Sequence, residues 1–265
     1  MSNLNDISFQ LLDGKVETRV WSAGTGSPVI YLHGANGFSW DPFLEELSQH
    51  HRIFAPEHPG STNPDALKHF DDLWDLVLYY DELLDILAIS SPVIMGHSFG
   101  AMVAAEIAAT FPRRVGKLVL IAPTGLWLDD YPQPDFTLTA QDRLFSLTFA
   151  DPNGPVASEM LAQMMPQSPE ELGQVMLKMN MALASACHFL WPIPDKGLKK
   201  RLRRINCPSL LLWGAKDGLV PPAYGQAFKK AMRMAKLEVI EGAGHLPQLE
   251  QRARVVDMVR AFIAS

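Results

Sequence analysis

The sequence predicts an α/β fold with a mostly parallel central sheet, helices on both faces and an inserted helical segment. Short apolar runs, each ending at a Gly, Pro or polar turn, alternate with amphipathic segments of helix length. The alternation stops after Pro123 and resumes at Cys207. The 265 residues, of which 48% are apolar and 20% charged, are enough to bury one large core.

The predicted elements follow in order from the N-terminus. Strands at residues 7–11 and 16–21 flank Asp13-Gly14, a dipeptide that favours the positive φ angles of a hairpin turn. Later strands are predicted at the runs PVIYLHG, RIFAPEHPG, PVIMGHS, GKLVLIAP, CPSLLLWG and AKLEVIEG. Helices are predicted near residues 41–49, 70–87, 100–111 and 223–234, with a last helix that ends at Ala264.

The middle of the chain interrupts this pattern. Residues 124–205 are predicted to form a helical cap, which leaves residues 1–123 and 206–265 as the core domain. Several Pro and Gly breaks precede a helical pattern of apolar residues, namely Leu172, Val175, Met176, Met179 and Leu183. A segment that leaves and re-enters one sheet is expected over the carboxyl ends of its strands, where open α/β sheets bind ligands.

Two features of the cap bear on its ligand. Half of the twelve methionines fall in one short span, at residues 160, 164, 165, 176, 179 and 181. They either provide an adaptable apolar surface for an acyl chain or aromatic acid, or simply pack the cap on the sheet. The basic run at residues 196–205 is either a solvated helix face or a site for an anionic substrate or partner.

Charge and composition limit the partners. Lys and Arg number 23 against 29 Asp and Glu, a net charge of −6, which disfavours nucleic acid and anionic membrane surfaces. We therefore expect a small-molecule substrate and a monomer or homodimer. The first residues lack a signal-peptide pattern, which predicts a cytoplasmic location. Cys187 and Cys207 are expected to be thiols, and the histidines show no zinc-like spacing, so no metal or cofactor is predicted.

The stretch VIMGHSFGAM is the strongest local signal. Gly96, Ser98 and Gly100 fit the G-x-S-x-G elbow, in which a strand turns sharply into a helix and exposes a serine. An apolar strand precedes the motif, and a helix rich in alanine follows it. The motif alone also fits an ordinary tight turn, so its interpretation depends on partners elsewhere in the sequence.

A serine hydroxyl needs a general base, and the base needs an anionic partner. Asp217 lies just after a predicted strand, and His245 lies in a glycine-rich loop after the next one. In proteins with a G-x-S-x-G elbow, the three catalytic residues follow the chain order serine, acid, histidine. Ser98, Asp217 and His245 have the same order. Asp129 and Asp130 are alternative acids, because they follow the preceding strand.

These motifs resemble those of the α/β-hydrolase superfamily, and the likeness covers about residues 7–122 and 206–264. The resemblance implies that Ser98 is the nucleophile, that His245 is base and then acid, and that Asp217 orients His245. It also implies an oxyanion hole formed by the backbone N–H groups of Ala35, in the loop at residues 33–37, and Phe99.

A serine nucleophile implies an acyl-enzyme, so a carboxylesterase acting on a small apolar ester is preferred. The sequence also resembles the meta-cleavage-product hydrolases, which split carbon-carbon bonds. Those enzymes typically carry Asn before the serine and Trp after the histidine, where this chain has His97 and Leu246. A carbon-carbon hydrolase is thus the alternative. A non-enzymatic small-molecule receptor and a scaffold that has lost activity are further hypotheses.

The substrate pocket is predicted to be bordered by Asn36, His97, Trp127 and Trp191.

Overall fold

The computed structural model describes residues 3–166, 168–192 and 194–265. Its strands are β1 Asn5–Leu11, β2 Val16–Ala23, β3 Pro28–Leu32, β4 Arg52–Pro56, β5 Val93–His97, β6 Lys117–Ile121, β7 Ser209–Gly214 and β8 Ala235–Ile240. They form an eight-stranded sheet in the order β1-β2-β4-β3-β5-β6-β7-β8. The pairs β1/β2 and β2/β4 are antiparallel and the remaining pairs are parallel, which confirms the predicted sheet.

The helices connect these strands. They are α1 Pro42–Ser48, α2 Leu73–Ile86, α3 Phe99–Thr110, α4 Gln141–Thr148, α5 Pro155–Met164, α6 Pro169–Leu190, α7 Leu198–Arg201, α8 Ala223–Ala231, α9 Pro247–Glu250 and α10 Arg252–Ala264. The helix predicted from residue 70 begins at Leu73, because the side chain of Asp72 accepts hydrogen bonds from two N–H groups of its first turn. The predicted last helix is divided into α9 and α10.

The sheet separates two apolar cores. Val29 and Tyr31 of β3 face the core that contains Phe43 of α1 and Val255 of α10. Ile30 and Leu32 of the same strand face the other core, with the buried side chains of α2 and α3. Side chains alternate between the faces of a strand, so a strand covered on both faces has a continuous apolar run. This arrangement fixes the strand ends that carry the candidate functional residues.

The segment between β6 and β7 holds α4, α5, α6 and α7. Its last part is tied to the core, because the guanidinium of Arg201 donates to both carboxylate oxygens of buried Glu106 at 2.8 and 2.6 Å. Ser185 of α6 donates to the carbonyl of Pro59 at 2.7 Å. Part of the predicted basic run is therefore structural, whereas Lys199 and Lys200 are exposed.

Two further observations concern the surface and the thiols. In the three described ranges of the chain, no helix combines the length and the apolar character that crossing a bilayer requires. Cys187 and Cys207 are free thiols, and burial raises the pKa of each.

Asp41 gives α1 a titratable N-cap. Its Oδ1 accepts the N–H of Leu44 at 2.9 Å, and burial raises its pKa from 3.8 to about 6. Because the folded state then binds the proton more tightly than the unfolded state, the residue's contribution to stability falls as pH rises through this interval. Asp41→Asn keeps the cap acceptor and removes the buried charge.

We expect Asp41→Asn to raise the free energy of unfolding by about 1 to 3 kcal/mol above pH 7 and by much less near pH 4.5. Urea unfolding at both pH values measures the difference. An equal gain at the two values would contradict the role of the buried charge.

Candidate active site

Ser98 occupies the junction between β5 and α3. Its backbone has φ 52° and ψ −113°, a conformation that non-glycine residues rarely adopt and that marks stored strain at functional sites. A β-carbon on Gly96 would lie 2.4 Å from the carbonyl oxygen of Gly100, and one on Gly100 would lie 2.1 Å from that of Leu32. The two glycines therefore allow the sharp turn from strand to helix.

His245 and Asp217 are in direct contact. Nδ1 of His245 lies 2.8 Å from Oδ2 of Asp217, whose side chain is fully buried. The other carboxylate oxygen accepts the N–H groups of Leu219 and Val220 at 3.0 and 2.8 Å. These bonds fix the carboxylate and place the proton of neutral His245 on Nδ1, so Nε2 is left as an acceptor.

The alternative acids lie elsewhere. Asp129 and Asp130 are exposed, and Asp129 accepts the indole N–H of Trp127 at 3.1 Å. The hydrogen bond from His245 thus goes to Asp217. Of the two hydrogen bonds expected among Ser98, His245 and Asp217, the described residues form the one between His245 and Asp217. The hydroxyl of Ser98 is not hydrogen-bonded to His245 in this part of the chain. Such bonds often form fully only when substrate is bound.

Two backbone N–H groups border Ser98. Phe99 is the first residue of α3, and the first N–H groups of a helix have no acceptor within it. The loop after β3 approaches from the other side, because a β-carbon on Gly34 would lie 3.6 Å from Cβ of Ser98. Within the described ranges, the N–H of Ala35 in this loop donates to no backbone carbonyl. Both groups are therefore available to a ligand oxygen.

Three buried side chains support this loop, and no motif or spacing in the sequence marks them as a set. His33 accepts the N–H of His58 at Nε2, 3.1 Å away, so its Nδ1–H donates to the carbonyl of Gly34 at 2.8 Å. His58 donates from Nε2 to the carbonyl of His33 at 2.8 Å and accepts the hydroxyl of Tyr80 at Nδ1. We call His33, His58 and Tyr80 the loop network. Burial lowers the pKa of His58 to about 4 and that of His33 well below its usual value, which keeps both imidazoles neutral.

His97 links the strand end to the histidine loop. Its Nε2 lies 2.9 Å from the carbonyl oxygen of His245, and the two ring centroids are 4.9 Å apart. Burial, with a smaller contribution from the electrostatic interaction with His245, lowers the pKa of His97 to about 3. Neutral His97 therefore donates from Nε2, and its Nδ1 acceptor faces Gly34.

The other predicted pocket residues are distributed over the surface. Asn36 is exposed in the loop after β3, and Trp127 is half-buried beside Asp129. Trp191 is 51% exposed. The indole N–H of Trp127 is used by Asp129, and the pocket assignments stay predictions. The residues described also contain no group of three or more acidic, histidine or cysteine side chains placed to hold a metal.

Comparison with known proteins assigns the family. A model described as the alpha/beta hydrolase family matches residues 29–258. The chain belongs to the alpha/beta hydrolase family. One curated relative is the 2-hydroxy-6-oxo-2,4-heptadienoate hydrolase of Pseudomonas putida, which is 25% identical over 100% of this chain and 99% of its own length. Another is the pimeloyl-[acyl-carrier protein] methyl ester esterase of Aliivibrio fischeri, which is 24% identical over 91% of this chain and 95% of its own length.

Solved structures show the same alpha/beta hydrolase fold. The 2-hydroxy-6-oxo-6-phenylhexa-2,4-dienoate hydrolase of a Rhodococcus species has a TM-score of 0.73, 19% identity and full coverage of both chains. An esterase from Exiguobacterium antarcticum also has a TM-score of 0.73, with 20% identity over 98% of this chain and 100% of its own. The predicted fold class is therefore confirmed, and the relatives include both carbon-carbon hydrolases and esterases.

The loop network predicts an effect on turnover. Tyr80→Phe removes the donor to buried His58 and should loosen the loop that carries the Ala35 N–H, so we expect kcat to fall about tenfold. Tyr79→Phe is the matched control, because its hydroxyl is bonded to Thr18 at 2.7 Å instead. Steady-state ester hydrolysis measures kcat, and equal losses in the two variants would contradict the assignment.

Proposed function

We propose that this protein is a serine hydrolase of the carboxylesterase type, which cleaves a small apolar ester through an acyl-enzyme on Ser98. The observation that carries the proposal is the strained serine at the N-terminus of α3, combined with a His245 whose tautomer is fixed by buried Asp217. A serine at such a strand-to-helix turn, with an oriented histidine available as base, suits nucleophilic attack on a carbonyl group.

The proposed reaction has two halves. Ser98 Oγ attacks the ester carbonyl while its proton moves to Nε2 of His245, and the carbonyl oxygen becomes an oxyanion held by the N–H groups of Ala35 and Phe99. His245 then gives this proton to the departing alcohol as the carbon-oxygen bond breaks. A water molecule next attacks the acyl-enzyme, its proton passes to His245, and the acid leaves as Ser98 takes the proton back.

The role of Asp217 in this scheme is electrostatic. Its carboxylate stabilises the imidazolium that forms in each half-reaction, and the two backbone bonds from Leu219 and Val220 keep it aimed at Nδ1. The local field suits this task, because the buried histidines His33, His58 and His97 are held neutral and do not repel the imidazolium.

Carbon-carbon bond hydrolysis is the second candidate. It is favoured by the Pseudomonas putida relative, which aligns with the whole of this chain. A further curated relative is the 2-hydroxymuconate semialdehyde hydrolase of a Pseudomonas species, 24% identical over 99% of this chain and 95% of its own length. His97 and Leu246 stand where that class typically has Asn and Trp, which is why an ester is preferred.

The nucleophile can be tested by labelling. A fluorophosphonate probe should label the wild-type protein at Ser98, and Ser98→Ala should remain unlabelled. We expect His245→Ala and Asp217→Asn to lower kcat for p-nitrophenyl esters by about 10³- to 10⁴-fold, because each disables the base. Asp129→Asn is the matched control and should keep wild-type kcat. Folded protein that is neither labelled nor active would support the receptor hypothesis instead.

The bond that is cleaved can be tested separately. We expect short-chain p-nitrophenyl esters to be hydrolysed with a kcat/KM at least about tenfold above that of a vinylogous 1,5-diketone acid. Both substrate classes are to be measured with one enzyme preparation, and Ser98→Ala provides the background rate. A large preference for the diketone would assign carbon-carbon hydrolysis to this protein.

A further inference from the structure

The end of α4 and the two residues after it lie against both loops of the candidate acid and base. We call these residues, 147–150, the α4 exit. The N–H of His245 donates to the carbonyl of Thr148 at 2.6 Å, and the N–H of Gly218, next to Asp217, donates to that of Leu147 at 3.0 Å. One short stretch of the inserted segment therefore holds the backbone on both sides of the His245–Asp217 pair.

Glycines allow this close approach. A β-carbon on Gly244 would lie 2.4 Å from the carbonyl oxygen of Thr148, so that position has no room for a side chain. A β-carbon on Gly218 would lie 3.0 Å from the carbonyl oxygen of Leu147, which is a tight contact. The two loops and the α4 exit are thus in direct backbone contact.

Glu250 closes this contact from the other side. Its Oε2 accepts the N–H of Gly244 at 2.6 Å, and its Oε1 accepts the N–H of Ala150 at 2.7 Å. Hydrogen bonds to an ionised carboxylate are short and roughly twice as strong as neutral ones. One carboxylate therefore joins the residue before His245 to the α4 exit.

We propose that Glu250 is a positioning residue for His245. Its carboxylate ties the loop of His245 to the α4 exit, so that the base and the α4 exit form one rigid unit. The inference rests on the proposed function, because it assigns to Glu250 the task of holding the base of that reaction. Glu250 acts through backbone N–H groups and does not contact the reacting atoms.

The surroundings of Glu250 agree with this role. Burial raises the pKa of its carboxyl group, while the N–H groups of Gly244 and Ala150 lower it. Asp217 and His245 are both near enough to influence it electrostatically, in opposite directions. Loss of the carboxylate would leave two backbone donors without acceptors in this partly buried site, which is costly.

The kinetic test uses Glu250→Gln and Glu250→Ala, with Glu241→Gln as the matched control on an exposed residue of the same loop. A displaced base slows chemistry more than it weakens substrate binding, and a shift of about 1 Å can cost about 100-fold. We expect kcat for a p-nitrophenyl ester to fall about ten- to a hundredfold in Glu250→Ala and less in Glu250→Gln, with KM within about twofold. The control should keep wild-type kcat and KM.

A second measurement does not depend on hydrolysis. Hydrogen-deuterium exchange followed by mass spectrometry should show faster exchange in Glu250→Ala at residues 147–150 and 241–246 together, with the β5 and β6 peptides unchanged. Faster exchange throughout would mean general unfolding and would overturn a local role. Unchanged exchange at either segment, or a kcat equal to that of Glu241→Gln, would also overturn the proposal. If Ser98 is not labelled but both segments still loosen together, the proposed hydrolase function fails while the structural tie stands.

Discussion

The close packing of β3, β5 and α3 is the constraint on which the candidate site depends. Gly100 lies so near the carbonyl of Leu32 that a β-carbon there would be 2.1 Å from its oxygen. This approach brings the loop after β3 over Ser98 and sets the first N–H of α3 beside it. The strain of the serine backbone is sustained because two apolar cores hold the strand and the helix from both faces.

The polar groups around this corner are arranged so that few of them carry charge. His33, His58 and His97 are buried, and each has a hydrogen-bond partner that fixes its tautomer. Neutral imidazoles serve as rigid donors and acceptors without the cost of burying a cation. The carboxyl groups of Asp217 and Glu250 lie near the base, and both accept backbone N–H bonds. Acidic side chains are therefore placed beside the imidazole of His245, where the proposed reaction would form a positive charge.

Much of the fold could be predicted because its signals are local. Each buried strand appears as an apolar run, and the glycines of the elbow are close to Ser98 in sequence. Asp217 and His245 could be proposed because parallel strands bring their carboxyl ends to one edge. The predicted start of α2, near residue 70, precedes the observed one at Leu73, because the start depends on the cap formed by Asp72.

The support of the site could not be predicted in the same way. Tyr80 contacts His58, and Glu250 contacts Ala150, only after distant parts of the chain have packed together. Neither pair has a spacing or a motif that distinguishes it from solvated residues. The indole of Trp127 bonds to nearby Asp129, and half of the Trp191 surface is exposed, so the part of both residues in a substrate pocket stays a prediction.

The inserted segment is attached to the core near its start and towards its end. Near its start the α4 exit bonds to the loops of Asp217 and His245. Towards its end Ser185 bonds to Pro59, and Arg201 pairs with buried Glu106. Between these attachments, the apolar side chains of Leu161, Met165 and Leu177 are exposed. Substitutions in this middle stretch should therefore disturb the packing of the core less than substitutions at the attached ends.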